Sequence, residues 1–172
     1  MRKNGASVGV VAEGRKVSSW DVGRGELRHE SAAPAADARL RSHEVCAAAI
    51  ADDGSLAAMS LWSSPVATLW DLSLGTQVGQ VDLPREAEGF IGSVLAISPD
   101  KRVLASASDG GEDHGTEKQS IRLWDLHTGR LLKRFARPLT NRVKTMLFTP
   151  DGKRLISGMS DGTCLVWDVS KL

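Results

Sequence analysis

The chain has 172 residues, which is enough for one domain with a hydrophobic core and too few for a multidomain enzyme. Hydrophobic residues make up 41% of it and charged residues 25%, which excludes a disordered chain. The net charge of +1 gives no overall attraction to nucleic acid or to acidic membranes.

The two cysteines, Cys46 and Cys164, lie far apart and show no Cys-x-x-Cys or paired-histidine pattern. They predict reduced thiols rather than a zinc site or a disulfide framework. Residues 1–13 start with basic residues, but their apolar stretch is short and interrupted by glycine, so no signal peptide is predicted. No apolar run approaches the roughly 18 residues of a membrane span. We expect a cytoplasmic chain that does not bind membranes.

Tryptophan accounts for five of the eight aromatic residues, and four of the five are followed directly by aspartate. The pairs are Trp20-Asp21, Trp70-Asp71, Trp124-Asp125 and Trp167-Asp168. Their spacings are 50, 54 and 43 residues, near or above the roughly 40–45 of the repeat class that carries this dipeptide. The pattern predicts a single segment of four repeats, at 1–42, 43–89, 90–140 and 141–172.

The residues before each Trp-Asp pair repeat as well. Residues 148–157 read FTPDGKRLIS and residues 97–106 read ISPDKRVLAS, and each leads to an apolar segment that ends in Trp-Asp. Such segments are short, are bounded by turn residues and keep no helical period, so they predict β-strands. Gly25, Gly75 and Gly129 stand five residues after their tryptophans, where a turn would leave the strand. We predict units of four antiparallel strands, a to d, in which Trp-Asp ends strand c.

This assignment gives strands b to d to the first repeat, a to d to the second and third, and a to c to the fourth. A four-stranded sheet cannot cover both of its faces, so neighbouring sheets must stack, and radial stacking makes a propeller. We therefore predict an all-β propeller of four-stranded antiparallel blades, three and a half to four in number, in an open or partial ring. The incomplete first and last repeats suggest the C-terminal part of a longer propeller or closure by self-association.

In these features the chain resembles the WD-repeat β-propeller family over nearly its whole length. The resemblance implies a buried hydrogen-bonded set in each blade: a His before strand a, a Ser or Thr in strand b, an Asp in the b–c turn and the Trp of strand c. Beside the tryptophans, the matching residues are His43, Ser60, Ser106, Ser157 and Asp161, while Ser64 replaces an Asp and Phe90 and Asn141 replace a His. No repeat has the complete set, so we expect apolar packing between blades to supply most of the stability.

Insertions concentrate in two connections, the d–a connection at 31–43 and the b–c loop at 109–119. Because strands alternate in direction, both connections emerge on the same face of the ring. Clustered insertions often mark a binding surface, although tolerated variation in loop length explains them equally well. The candidate partner-binding residues on this face are Arg39, Arg41, Glu112, Asp113, His114, Glu117 and Lys118.

Motifs that carry chemistry are weak. Glu112, Asp113, His114 and Glu117 could be metal ligands, but their spacing fits neither a calcium loop nor a zinc-binding helix. Residues 5–9 match the Gly-x-Ser-x-Gly pattern of a nucleophile elbow, but that motif requires a following helix, and none is predicted here. Gly9 and Gly14 have the spacing of a phosphate-binding P-loop, but Arg15 stands where the P-loop has lysine. We therefore predict no catalytic site, no metal and no cofactor.

Residues 130–144 contain six basic residues, with no acid between Asp125 and Asp151. With Leu131, Leu132 and Phe135 facing inward, the basic residues would keep an outer strand soluble. An acidic partner is the alternative, and the lack of interleaved aromatic residues argues against nucleic acid. Trp62, the tryptophan without an aspartate, is expected to pack between blades, with a surface anchor as the alternative.

The resemblance implies a non-catalytic scaffold that binds a protein partner through the face carrying residues 31–43 and 109–119. The alternative is an enzyme or a small-ligand-binding propeller with a site at the mouth of the central channel. The sequence offers no base–nucleophile pair, metal set or cofactor fingerprint for that alternative.

Overall fold

The computed structural model describes residues 7–12, 16–21, 23–32, 45–61, 65–83, 90–109, 120–135 and 141–172, which form fourteen β-strands and no helix. The strands are β1 Ser7–Ala12, β2 Lys16–Asp21, β3 Glu26–Ala32, β4 Val45–Ile50, β5 Leu56–Leu61, β6 Val66–Asp71, β7 Thr76–Asp82, β8 Phe90–Ile97, β9 Val103–Asp109, β10 Ile121–Asp125, β11 Leu131–Phe135, β12 Val143–Phe148, β13 Arg154–Met159 and β14 Cys164–Asp168. The described ranges hold nothing helical that could cross a membrane.

The strands form four antiparallel sheets, each made of strands that follow one another along the chain. The first sheet is β1–β3, the second β4–β7, the third β8–β11 and the fourth β12–β14. The predicted fold class is confirmed: the fold is all-β, and its sheets of three, four, four and three described strands are those of a partial propeller. Each sheet lies within one of the four predicted repeats.

The turns between strands use the glycines that the sequence places there. Gly75 and Gly129 have φ of 66° and 69°, and the N–H of each donates to the carbonyl of the aspartate four residues earlier, at 2.8 Å. A side chain would be strained at such a φ, which is why glycine follows strand c at this distance. Gly54 and Gly152 take the same conformation between strands a and b, and Lys101 takes it with φ of 59° in the third sheet.

Core packing lies between neighbouring sheets. The second sheet contributes the small side chains of Ala49 and Ala58 together with Leu69, and the third sheet contributes the large side chains of Leu104 and Trp124. Pairing register places Ala49, Ala58 and Leu69 side by side across β4, β5 and β6. Small residues on one sheet thus leave room for large ones on the next, which gives dense packing.

The next junction repeats this arrangement. Ala96, Ala105 and Leu123 form a row across the third sheet, and Phe148, Leu155 and Trp167 form a row across the fourth. The two rows belong to one apolar cluster. At both junctions, therefore, the tryptophan of one sheet packs against the alanine-bearing row of the preceding sheet.

Candidate interaction surfaces

The aspartates of the Trp-Asp pairs hold the turns that follow strand c. Asp71 accepts hydrogen bonds from the N–H and hydroxyl of Ser73, and Asp125 accepts from the N–H groups of His127 and Thr128. The hydroxyl of Ser73 lowers the pKa of Asp71, and the N–H of Thr128 lowers the pKa of Asp125. These carboxylates serve the fold, because Oδ1 of each accepts several hydrogen bonds from its own turn.

The tryptophans of the third and fourth sheets are held by buried serines. Trp124 Nε1 donates to Ser106 Oγ at 2.9 Å, and Trp167 Nε1 donates to Ser157 Oγ at 3.0 Å. Both serines are buried within strand b. These bonds join strands b and c inside a sheet, in the manner that the resemblance implied.

In the second sheet the hydrogen bond of the tryptophan departs from that pattern. Trp70 Nε1 donates instead to Thr68 Oγ1 at 3.0 Å, while Ser60 Oγ lies 3.2 Å from Cys46 Sγ. Thr68 stands two residues before the tryptophan on the same strand. The third and fourth sheets have Arg122 and Leu165 at that position. The hydroxyl of Thr68 is therefore the sequence feature from which a different acceptor for Trp70 could have been predicted.

The connections at one edge of the fourth sheet contact each other directly. We call this edge the upper face: in the fourth sheet it comprises residues 141–142 and 160–163. Asn141 Nδ2 donates to Asp161 Oδ2 at 2.6 Å, and the N–H of Ser160 donates to the carbonyl of Arg142 at 2.8 Å. Asp161 also accepts from Thr163, whose hydroxyl lowers the pKa of Asp161. The chain before strand a is thus tied to the b–c turn.

The predicted partner-binding residues of the upper face lie outside the described residues. They are Arg39, Arg41, Glu112, Asp113, His114, Glu117 and Lys118, and His43, Trp62 and Ser64 lie outside as well. Within the described ranges, no group of three or more His, Cys, Asp or Glu side chains could hold a metal ion.

The opposite edge, the lower face, carries the a–b and c–d turns. Lys101 joins two of these turns across the junction between the second and third sheets: its Nζ donates to Asp53 Oδ2 at 2.8 Å and to Ser55 Oγ at 3.0 Å. The Lys101 ammonium lowers the pKa of Asp53 to about 2. This ion pair was not predicted from the sequence, although Lys101 stands where the second and fourth repeats have glycine.

Two concave surfaces accompany these edges. A groove of about 660 Å³ lies between the second and third sheets, where Val78 and Gln80 of β7 face Arg102 and the turn at 125–129. A second cavity of about 400 Å³ follows the inner strands β4, β8 and β12. Its polar side chains are Asp52, Lys144 and Thr145, and its other lining residues are apolar.

The outer strand of the third sheet corrects one expectation about the basic stretch. Leu131 and Leu132 were expected to face inward, but they are 49% and 43% exposed. Phe135 does pack inward, with its ring centroid 4.7 Å from that of Trp167, and Lys133 Nζ lies 5.0 Å from the Phe135 centroid. The basic strand therefore presents leucines to solvent beside its positive charges.

Comparisons with known proteins agree with this architecture. The family model "WD domain, G-beta repeat" matches residues 129–168. "Small ribosomal subunit protein RACK1y" of Oryza sativa subsp. japonica is 28% identical over 165 residues, which are 91% of this chain and 42% of the relative.

Two further relatives match shorter parts of the chain. "Protein groucho" of Drosophila melanogaster is 32% identical over 102 residues, 59% of this chain and 12% of the relative. "Target of rapamycin complex subunit wat1" of Schizosaccharomyces pombe is 38% identical over 81 residues, 44% of this chain and 21% of the relative. The chain spans less than half the length of these relatives. Its stacked antiparallel sheets, its Trp-Asp turns and these matches confirm the resemblance to WD-repeat β-propeller proteins, and the family model places one such repeat at residues 129–168.

Proposed function

We propose that this chain is a non-catalytic scaffold that binds a protein partner through the upper face, with the insertions at 31–43 and 109–119 as the contact surface. Relatives of this family are scaffolds or interaction proteins. The names of two relatives place them in assemblies, a ribosomal subunit and a target of rapamycin complex. Cys46 and Cys164 are not joined in a disulfide, which suits the reducing cytoplasm as the compartment.

The observation that carries this proposal is the contact of Asn141 with Asp161. In the fourth sheet that hydrogen bond ties the residue before strand a to the b–c turn. The same two connections hold the insertions of the other repeats, 31–43 before strand a of the second and 109–119 between strands b and c of the third. Repeat equivalence supports one shared face for both insertions, and clustered insertions on one face favour binding.

The chemistry of the described residues favours a scaffold over an enzyme. The aspartates with lowered pKa values each accept hydrogen bonds from a serine, threonine or lysine in or beside their own turn. Among the described residues that line the cavity along the inner strands, Asp52, Lys144 and Thr145 are the polar ones. That set lacks the imidazole or thiol on which many nucleophilic sites depend.

The test is a charge-matched pair of triple variants. One removes three acids of the insertion, Glu112→Gln, Asp113→Asn and Glu117→Gln. The control removes three exposed acids of outer strands, Glu26→Gln, Glu30→Gln and Asp82→Asn. Proteins captured by the wild-type chain from its source cell are identified by mass spectrometry, and the binding of each purified candidate is then measured by calorimetry.

We expect the insertion variant to lose at least about tenfold in affinity and the control variant to bind like the wild type. Equal binding of both variants would contradict the upper face as the contact surface. Capture of a small-molecule substrate at the inner-strand cavity, abolished by Lys144→Met, would instead favour the enzyme alternative.

A further inference from the structure

The outer strand of the third sheet differs in charge from the outer strands of the first and second sheets. Residues 130–135, which are β11 and the residue before it, read RLLKRF and carry three cations and no acid. In contrast, β7 has one acid and no cation, and β3 has two glutamates against one arginine. All three strands pair with strand c at the same edge of their sheets. The outer position by itself therefore does not require positive charge.

Two leucines reach the surface beside these cations. Trp124 pairs with Leu131 and Leu123 pairs with Lys133, so that Leu132 is the extra residue of a bulge. Leu131 is 49% exposed and Leu132 is 43% exposed. Adjacent leucines that stay in water forgo the free energy that their burial would provide.

The second sheet shows that the bulge does not require leucines or cations. The pairing of β6 with β7 shifts register at the same place, between Leu69 and Trp70. Residues 77–80 of β7, Gln-Val-Gly-Gln, therefore stand at the positions of residues 131–134 of β11, Leu-Leu-Lys-Arg. The same backbone geometry is thus made without any of these charges.

The positive charge of β11 is only partly offset within the described structure. Lys133 Nζ lies 5.0 Å from the Phe135 centroid, a contact that limits the freedom of this side chain. Asp168 lies near enough for Lys133 to lower its pKa, but the hydroxyl and N–H of Ser170 lower that pKa more. Across the strand pair, Arg134 stands opposite another arginine rather than an acid. The strand therefore presents cations to solvent.

The free edge of β11 suits an extended ligand. Among the described strands β11 pairs only with β10, so the backbone groups of its other edge can bond an added strand. Cations along that edge repel a second copy of β11 and attract a strand that carries carboxylates. A charge that only kept the edge soluble would explain the cations, but it would not explain the leucines beside them.

We propose that β11, with Arg130, binds an extended acidic segment of another protein, which pairs its carboxylates with the cations and covers the two leucines with aliphatic side chains. This surface is independent of the upper-face binding proposed above, since it uses an outer strand rather than the connections before strand a and between strands b and c. Loss of one kind of binding would leave the other in place.

The probe is a library of displayed random peptides about twelve residues long, selected on the full chain and counter-selected on the double variant Arg130→Gln, Lys133→Gln. The control double variant, Lys153→Gln and Arg154→Gln, removes two exposed cations of the fourth sheet. Fluorescence anisotropy measures the affinity of each selected peptide for the three proteins, and thermal unfolding checks that each variant folds.

We expect peptides rich in Asp, Glu and aliphatic residues. Their affinity should fall at least about tenfold in the β11 variant and in high salt, and should stay unchanged in the control. Leu132→Ser should weaken the same peptides. Val78→Ser should not, although Val78 is the bulge residue of β7 and is 55% exposed.

Three results would overturn the proposal: selected peptides without acidic residues, no peptide that distinguishes the β11 variant from the control, or equal weakening by Leu132→Ser and Val78→Ser. A single-stranded oligonucleotide and phosphatidylserine vesicles are tested in parallel. If either binds the wild type and is lost in the β11 variant while no acidic peptide binds, the strand is assigned to nucleic acid or to a membrane, and the proposal is overturned as well.

Discussion

The strands β10 and β14 occupy the same position in their repeats but differ in burial. They read Ile-Arg-Leu-Trp-Asp and Cys-Leu-Val-Trp-Asp, and each ends in the Trp-Asp pair. The first four residues of β10 are buried, while all of β14 except the half-buried Trp167 is exposed. The third sheet is covered by a neighbour on each face, and the fourth by one neighbour within the described structure. Similar local sequences therefore make the same strand, and the neighbouring sheets decide its environment.

The hydrogen bond of the tryptophan shows the same contrast. Trp124 and Trp167 make matching bonds to Ser106 and Ser157. Trp124 is 4% exposed, whereas Trp167 is only partly buried. Water therefore has less access to the Trp124–Ser106 hydrogen bond than to the Trp167–Ser157 bond. Losing the Trp124–Ser106 bond should cost more free energy of unfolding.

The largest expected effect comes from truncating the apolar row on each strand. Leu123→Ala should lower the free energy of unfolding by about 2–5 kcal/mol, because it opens a cavity between two sheets. Val166→Ala should change it by less than about 0.5 kcal/mol, since that side chain is largely in water. Urea unfolding at a concentration where the chain is monomeric measures both. Similar losses for the two variants would mean that β14 is buried in solution.

Removing the serine beneath each tryptophan should have a smaller effect. Ser106→Ala leaves the buried Trp124 N–H without an acceptor and should destabilise the fold by about 1–3 kcal/mol. Ser157→Ala should cost less, because water can reach the half-buried Trp167. Thr68→Val removes the acceptor of the Trp70 N–H, and because Trp70 is 2% exposed it should cost about as much as Ser106→Ala. Equal losses for Ser157→Ala and Ser106→Ala would contradict the role of burial.

The smallest effect concerns the ion pair that joins the second and third sheets. The pKa of Asp53 falls from 3.8 to about 2 beside Lys101, so the folded state holds the carboxylate more strongly than the unfolded state does. The stabilisation is therefore complete above the unfolded pKa and is lost as the pH falls from about 4 through about 2. Both side chains are substantially exposed, at 38% and 54%, so solvent screening limits the contribution to about 1 kcal/mol or less.

Lys101→Met tests this contribution by removing the charge and keeping a long side chain. We expect a small loss of stability at pH 7 that shrinks near pH 2 and in high salt. Lys144→Met, at an exposed lysine of β12, is the control and should leave the acid part of the stability profile unchanged. A loss that is equal at both pH values would assign the effect of Lys101 to packing rather than to charge.

Local patterns predicted the strands and turns because they depend on neighbours in sequence. Asp-Gly pairs, the glycines after strand c and the alternation of short apolar segments are each set within a few residues. The exposure of Leu131 and Leu132, which the sequence predicted to face inward, could not be obtained in this way. The pairing of β10 with β11 shifts register between Leu123 and Trp124, and such a bulge changes which face a side chain takes.

The hydrogen-bonded sets show a similar division. The bonds of Trp124 and Trp167 followed from repeat position. In the second sheet, however, the indole N–H of Trp70 donates to the hydroxyl of Thr68, which is nearer in sequence than Ser60. The ion pair of Lys101 with Asp53 could not be predicted because the two residues belong to different repeats. The sequence of one repeat does not show which residues of another repeat it contacts.

The sequence by itself determined the repeat, the strands within it and the turns that the Trp-Asp aspartates hold, because these depend on hydrogen bonds and backbone conformations within a single unit. Only the tertiary structure decided which faces are covered. Leu123 and Val166 occupy one position of the repeat, yet one is buried and the other 60% exposed. The difference arises because burial belongs to a pair of stacked sheets, and no single repeat encodes what lies against it.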